Sequence, residues 1–399
     1  MLEKPAIEGG KKVRAGGQLP PFPYSFGKEE INEVVDTLKS GWITTGPKTQ
    51  KFEKILKSYV GPKHIVPVNS CTAGLHLSLI AAGVGRGDEV ITTPFTFAAT
   101  ANVILHVGAK PIFVDIQKDT YNIDPNLVEK AISKRTKVII PVHYGGHPCD
   151  MEEILKIAKH YDLSVIEDAA HAIGAKYRGK NIGTIGDYAV FSFYATKNIT
   201  TAEGGAVCLK DDSAEEKIRM MSLHGMNRDA WKRYSKQGYW YYEIKYPGFK
   251  YNMTDIQASM GIHQIKKLEG FIEKREKIAK FYDSNFKNMK EITIPTVKKY
   301  VRHARHLYSI LLNLERLKIN RNQFFIALDA ENIGTSVHFI PVHLHPYYRD
   351  KFGFKRGDFP NAEYVYDRII SLPMNPVMTD EDAKDVVKAV KKIINYYRK

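Results

Sequence analysis

The sequence predicts an α/β protein: a large domain on a mainly parallel mixed sheet flanked by helices, then a smaller C-terminal α/β domain. Three observations predict it. Apolar runs of strand length alternate with helical patterns through the first half of the chain. At 399 residues the chain can bury a large core and divide in two. Near Gly261 a long charged amphipathic helix begins, running through Lys266, Glu269, Lys274 and Lys280, and a second, shorter alternation follows it.

In chain order, residues 1–30 are expected to form an extended N-terminal arm over the active site, carrying the Pro-rich run Leu19-Pro-Pro-Phe-Pro-Tyr24. Residues 31–262 are expected to form the large domain. Its strand-like runs fall at residues 64–68, 89–92, 111–114, 137–141, 163–167, 188–193 and 205–209. Helical patterns such as residues 151–161 separate most of them, as parallel strands with helices on both faces require. Residues 263–399 are expected to form the small domain. There residues 307–314 precede a helix over 322–332, a strand over 337–341 and a terminal helix over 380–397.

Composition sets bounds. Three cysteines, Cys71, Cys149 and Cys208, are too few and too scattered for a disulfide framework or a zinc cluster, so no metal and a reducing cytoplasm are expected. The charged N-terminus lacks an apolar signal core and no long apolar span follows, so a soluble protein without a membrane partner is expected. The net charge of +15 is spread along the chain in modest clusters such as Lys266-Lys267 and Lys391-Lys392. No zinc-finger, RNA-recognition or basic-zipper pattern accompanies it, so no nucleic-acid partner is expected; its positive potential would draw in a nucleotide diphosphate.

Four stretches carry chemistry. In Ser192-Phe-Tyr-Ala-Thr-Lys197-Asn198, a buried strand ends in a hydroxyl, a lysine and a Gly-rich turn. A partly desolvated lysine there loses preference for its ammonium form and can attack an aldehyde. In Val165-Ile-Glu167-Asp168-Ala-Ala-His171, Asp168 falls at a strand's C-terminal end. A carboxylate emerging from a buried strand needs a cationic partner, and the pyridinium of pyridoxal phosphate is one. In Asn69-Ser70-Cys71-Thr72-Ala73-Gly74, small and hydroxyl residues open a helix and aim free N–H groups at one phosphate, which is neither a Walker nor a G-x-G-x-x-G pattern. In Thr93-Pro-Phe95-Thr-Phe97, an aromatic at a strand end suits a flat heterocycle.

The order phosphate turn, stacking aromatic, acidic strand end, serine, lysine resembles the fold-type I pyridoxal phosphate enzymes. More narrowly it is similar to the sugar aminotransferase family called DegT/DnrJ/EryC1/StrS. Ser40-Gly-Trp-Ile-Thr-Thr-Gly-Pro47, Glu167-Asp-Ala-Ala-His-Ala172, Lys197-Asn-Ile-Thr-Thr-Ala-Glu-Gly-Gly205, Gly248-Phe-Lys-Tyr-Asn252 and Gly334-Thr-Ser-Val-His338-Phe-Ile-Pro341 carry the resemblance. Several of these look closest to the branch that aminates a UDP-4-keto-pentose.

The resemblance implies roles position by position. Lys197 matches the lysine that attaches to the cofactor and later moves a proton, and Asp168 matches the partner of the pyridine nitrogen. Phe97 matches the stacking ring, and His171 a position held by Gln or His beside the ring's oxygen. Ser192, Thr72 and the backbone at Cys71 match the phosphate cradle, with Cys71 standing where many members have Gly. A homodimer with shared active sites is implied, one subunit reaching the other's phosphate from a Gly-Tyr-Asn-Tyr-Arg run. Here Lys250 stands for that Asn and Asn252 for that Arg, which leaves the reaching residue open. Substrate contacts are expected from Thr44, Thr45 and His338. The implied reaction moves an amino group from glutamate to a nucleotide-activated ketosugar at C4, within cell-envelope polysaccharide biosynthesis. Alternatives are amination at C3 of a dTDP-, UDP- or GDP-ketosugar and a non-catalytic regulator. A pyridoxamine-dependent dehydratase would carry His in place of Lys197.

Overall fold

The computed structural model describes residues 3–22, 25–227 and 241–399. Five strands come first: β1 (His64–Val68), β2 (Glu89–Thr92), β3 (Lys110–Phe113), β4 (Thr136–Ile139) and β5 (Ser164–Asp168). A small hairpin of β6 (Lys176–Tyr177) and β7 (Lys180–Asn181) precedes β8 (Tyr188–Ser192) and β9 (Gly205–Leu209). The main sheet has the order β1-β9-β8-β5-β4-β2-β3. Every pairing in it is parallel except those of β9, which runs antiparallel to both β1 and β8. β8 and β9 are buried along their whole length, as their apolar runs require of a sheet covered on both faces.

This connectivity positions the site. β1, β2, β4, β5 and β8 all point the same way, so the loops after Val68, Thr92, Asp168 and Ser192 open on one edge. In α/β sheets ligands bind outside such carboxyl ends.

The helix Asp255–Phe286 starts earlier than the expected Gly261 because Thr254 and Gln257 form a capping box. Its first half packs on the helices Lys28–Ser40 and Pro47–Val60. Its second half, through Ile278, Tyr282 and Phe286, enters a separate core with Tyr308, Ile310, Phe324 and Ile393. That core covers a second sheet of β10 (Ile292–Thr293), β12 (Tyr308–Leu312) and β13 (Ile369–Leu372), all antiparallel; a short β11 (Val301–Arg302) pairs instead with β6. The terminal helix Asp380–Tyr397 lies where the sequence places it, and the one expected over 322–332 spans Arg321–Ala330. Residues 337–341 correct an expectation: they form no strand. Ser336 makes one isolated bridge to Ser371, after which His338 and Phe339 turn into the cavity described below instead of extending the sheet.

The N-terminal segment wraps this second core. Buried Glu331 accepts hydrogen bonds from the N–H groups of Ala6 (2.8 Å) and Val13 (2.7 Å) and pairs with Lys392 Nζ at 3.0 Å. Lys392 also donates to the carbonyl of Lys11. Leu19 bonds Asn332 and Gly334, and Phe22 reaches the cavity; Tyr24 lies outside the described residues. Glu331→Ala leaves the buried, charged Lys392 with Glu3, 3.8 Å away, as its remaining counter-charge, so the unfolding free energy should fall by about 3 kcal/mol, measured by urea denaturation. A change under about 1 kcal/mol would show that water reaches the pair.

Candidate active site

A cavity of about 580 Å³ opens on the carboxyl edge of the main sheet. Cys71, Thr72, Phe97, Asp168, His171, Ser192, Lys197 and His338 all line it, so eight of the residues singled out from sequence meet there. They come from five separate segments, four of them following strands of the main sheet and the fifth, with His338, an irregular stretch of the C-terminal half.

Lys197 follows β8 in a tight turn, its N–H bonding the carbonyl of Tyr194 at 3.0 Å. Burial pulls its ammonium down to about 8, against the opposing pull of Cys71 and Asp168. A larger neutral fraction near neutral pH follows, and only the neutral amine is a nucleophile. Covalent capture of pyridoxal phosphate by apoenzyme should therefore accelerate as pH rises from 6.5 to 8 and level off above about pH 8. Stopped-flow absorbance checks this; a rate still climbing steeply at pH 9.5 would indicate an ordinary lysine.

Asp168 ends β5. Its Oδ2 accepts from Thr100 Oγ1 at 2.7 Å and its Oδ1 from Ala170 N–H at 3.1 Å. Thr100 in turn accepts from Thr96 at 2.7 Å. Burial pushes the Asp168 carboxyl up, while the Thr100 and Ala170 bonds and the Lys197 charge pull the other way. A buried carboxylate held open to a cavity in this way favours a cation directly above it.

The helix Cys71–Ala81 begins at the cavity wall, where Ser70 Oγ caps Ala73 N–H at 3.1 Å. The N–H groups of Cys71 and Thr72 have no acceptor within the helix and belong to its positive end. Gly205 of β9 passes close beneath: a Cβ there would sit 2.7 Å from Cys71 N and 2.8 Å from the Phe191 carbonyl oxygen. No side chain fits, and this close approach sets the depth of the anion cradle. Ser192, at the end of β8, completes the wall.

His171 is buried, and Gly145 N–H donates to its Nδ1 at 3.2 Å. Burial, with Lys197 and His338, holds it well below the usual histidine range, so the ring is neutral. A neutral ring accepting at Nδ1 carries its proton on Nε2, ready to donate. Phe97, the residue before the helix Ala98–His106, is 65% exposed, unusual for a phenylalanine unless something flat covers it. A helix-end anion cradle, a buried carboxylate, an open aromatic face, a donor histidine and a depressed lysine together match the phosphate, pyridine nitrogen, ring, phenolic oxygen and aldehyde of pyridoxal phosphate. The residues present fit that cofactor.

Four expected site residues lie elsewhere. Asn252 Nδ2 donates to Thr45 Oγ1 at 2.6 Å, and Thr45 donates to the carbonyl of Met253. Thr45 and Asn252 line a separate depression beside Arg219 and Glu53. The carbonyl of Lys250 accepts from Asn69 Nδ2, and that of Thr44 from Asp255 N–H. None of the four lines the main cavity. Sequence reading missed Thr100, His306, Phe22 and Phe339. Only Thr100 left a signal, standing one helical turn after Thr96. His306 donates from Nδ1 to Asn198 Oδ1 at 3.2 Å, and its ring lies 4.3 Å from that of His171, contacts that only tertiary packing creates.

Comparison with known proteins gives the family and the fold. The model of the DegT/DnrJ/EryC1/StrS aminotransferase family matches residues 25–391. The chain is 64% identical over 380 residues to the uncharacterized protein MJ1066 of Methanocaldococcus jannaschii, covering 95% of this chain and 98% of that one. It is 52% identical over 377 residues to the spore coat polysaccharide biosynthesis protein SpsC of Bacillus subtilis, covering 94% and 97%. Spr1654 of Streptococcus pneumoniae, solved in its PMP form, superposes with a TM-score of 0.89 at 36% identity, over 95% of this chain and 99% of that one. Its PLP form superposes at 0.88.

Proposed function

We propose, for a chain that belongs to the DegT/DnrJ/EryC1/StrS aminotransferase family and is a pyridoxal phosphate-dependent transaminase, that it carries an amino group from glutamate to a nucleotide-activated ketosugar at C4. One observation carries the reading. Lys197 and Asp168 share a cavity of about 580 Å³, within the usual range for small-molecule sites and with space beyond a cofactor for a sugar ring. The likeness to a polysaccharide-biosynthesis protein supports a sugar as acceptor.

The bound cofactor supplies an electron sink for the carbon that loses its proton. Asp168 holds the ring nitrogen protonated, so that the sink stays strong. Lys197 would be the residue that holds the cofactor at rest, and its Nζ would move the proton to and from the reacting carbon. A positioned group of this kind contributes typically 10²–10⁴-fold. Phe97 covers one ring face and keeps the ring plane fixed. His171 donates through Nε2 to the phenolic oxygen. The N–H groups of Cys71 and Thr72, the Thr72 hydroxyl and Ser192 hold the phosphate, and His338 meets the sugar.

Because Lys250 and Asn252 stand outside their own cavity, we assign one or the other of them to the phosphate of a second subunit in a homodimer, with Thr44 and Thr45 presented to the sugar. The enzyme acts in the cytoplasm, where nucleotide sugars are made. The test is a two-step absorbance assay on holoenzyme. Glutamate should shift the spectrum and release 2-oxoglutarate, and one member of a panel of UDP-, GDP- and dTDP-ketosugars should shift it back. A panel in which no ketosugar restores the first spectrum overturns the reading.

A further inference from the structure

Behind His338 lies a closed ring of hydrogen bonds whose proton order can be worked out. Tyr144 Oη donates to the backbone carbonyl of His338 at 2.7 Å, and a carbonyl only accepts, so the one phenolic proton is committed. Tyr144 Oη also lies 3.3 Å from Ser309 Oγ, so Ser309 is the donor in that pair. Ser309 Oγ lies 3.0 Å from Ser371 Oγ; with the Ser309 proton used, Ser371 donates. Ser371 Oγ lies 2.9 Å from His338 Nδ1, and with its own proton used it accepts. The ring nitrogen Nδ1 therefore carries hydrogen. The reverse order leaves the Ser309–Tyr144 contact without a proton, one bond fewer among buried groups.

The ring is built into the fold. Ser309 and Ser371 stand directly opposite each other across β12 and β13, and Tyr144 comes from the large domain. All three are nearly fully buried. Burial and the Lys197 charge hold His338 down at about 4, so it is neutral at working pH. With Nδ1 protonated, Nε2 is a bare lone pair. It has no partner among the described residues, and His338 lines the cavity. Phe22 stands edge-on to the imidazole at 5.4 Å and limits its swing.

We propose that His338 is a specificity-determining residue whose Nε2 accepts a hydrogen bond from a hydroxyl of the sugar, and that Tyr144, Ser309 and Ser371 are positioning residues that hold it in that state. The sugar part rests on the function proposed above. A neutral acceptor attracts a hydroxyl and repels phosphate or carboxylate oxygens, so neither the diphosphate nor the donor's carboxylates settle here. The two cavity histidines thus have opposite polarity: His171 offers a proton and His338 a lone pair.

Holoenzyme labelled with ¹⁵N-histidine tests the proton order, with His338→Gln assigning the signals. Long-range ¹H–¹⁵N spectra at neutral pH should show His338 Nδ1 protonated and Nε2 bare; the opposite pattern overturns the proposal. Ser371→Ala should give a mixture of the two forms. It should raise the KM for the ketosugar about five- to tenfold, one hydrogen bond's worth, and leave the glutamate half-reaction within twofold. Ser371→Thr, which keeps the hydroxyl, should restore the parent values. An unchanged ketosugar KM in Ser371→Ala, or an equal loss in both half-reactions, refutes the specificity role. Should no ketosugar react at all, the hydroxyl assignment falls with that reading, while the spectra still decide the proton order.

Discussion

Lys197→Ala protein folds like the parent, binds pyridoxal phosphate without attaching to it, and loses turnover by about 10⁴-fold or more. In the proposed reaction attachment and proton transfer fall on one atom, Nζ, and no second amine lines the cavity among the described residues. His171, His306 and His338 are the remaining nitrogen bases in the wall. Burial and neighbouring positive charge hold all three below the usual histidine range, which makes them weak bases. His171 and His338 have their ring protons assigned to other tasks. Borohydride reduction followed by intact-protein mass spectrometry is the direct check. The parent gains one cofactor mass and the variant gains none; an adduct on the variant, or turnover within about tenfold of the parent, removes Lys197 from the role.

Asp168→Asn protein keeps its cofactor but slows the glutamate half-reaction by about 10²–10³-fold. The amide oxygen can keep one of the two bonds that the carboxylate accepts, from Thr100 or from Ala170 N–H, at nearly the same side-chain volume. What is lost is the negative charge under the ring nitrogen. Without it that nitrogen sheds its proton and the ring withdraws electrons poorly. The parent carboxylate is already pushed up by burial, which means that its charge is poorly stabilised by protein alone. A protonated ring nitrogen beside Asp168 would supply the missing counter-charge, each stabilising the other's charged form. Single-turnover absorbance with glutamate measures the effect, and a rate near the parent's would show that the nitrogen's protonation does not limit the reaction.

Much of the large domain was legible in the chain because its strands are buried on both faces. Such strands appear as unbroken Val/Ile/Phe runs, and both Asp168 and Lys197 stand where runs of this kind stop. The direction of β9 was less plain. Residues 193–204 join it to β8 without a helix, and a twelve-residue link leaves either direction open on length alone; the structure makes the pairing antiparallel. Residues 337–341, Val-His-Phe-Ile-Pro, carry strand propensity that the fold overrides, since two of their side chains are drawn into the cavity. Phe22, Ser309, Ser371 and His306 were invisible for a common reason. Each matters through a partner that is dozens to hundreds of positions away, and no local pattern encodes such meetings.

The helix Asp255–Phe286 belongs to both cores at once. Neither lobe can therefore be cut away as an independent folding unit, because any boundary near its middle would strip an apolar stripe from each side. Fragments ending there should be insoluble, and melting should proceed as one cooperative event. Through this one continuous rod a shift in either core would be felt by the other.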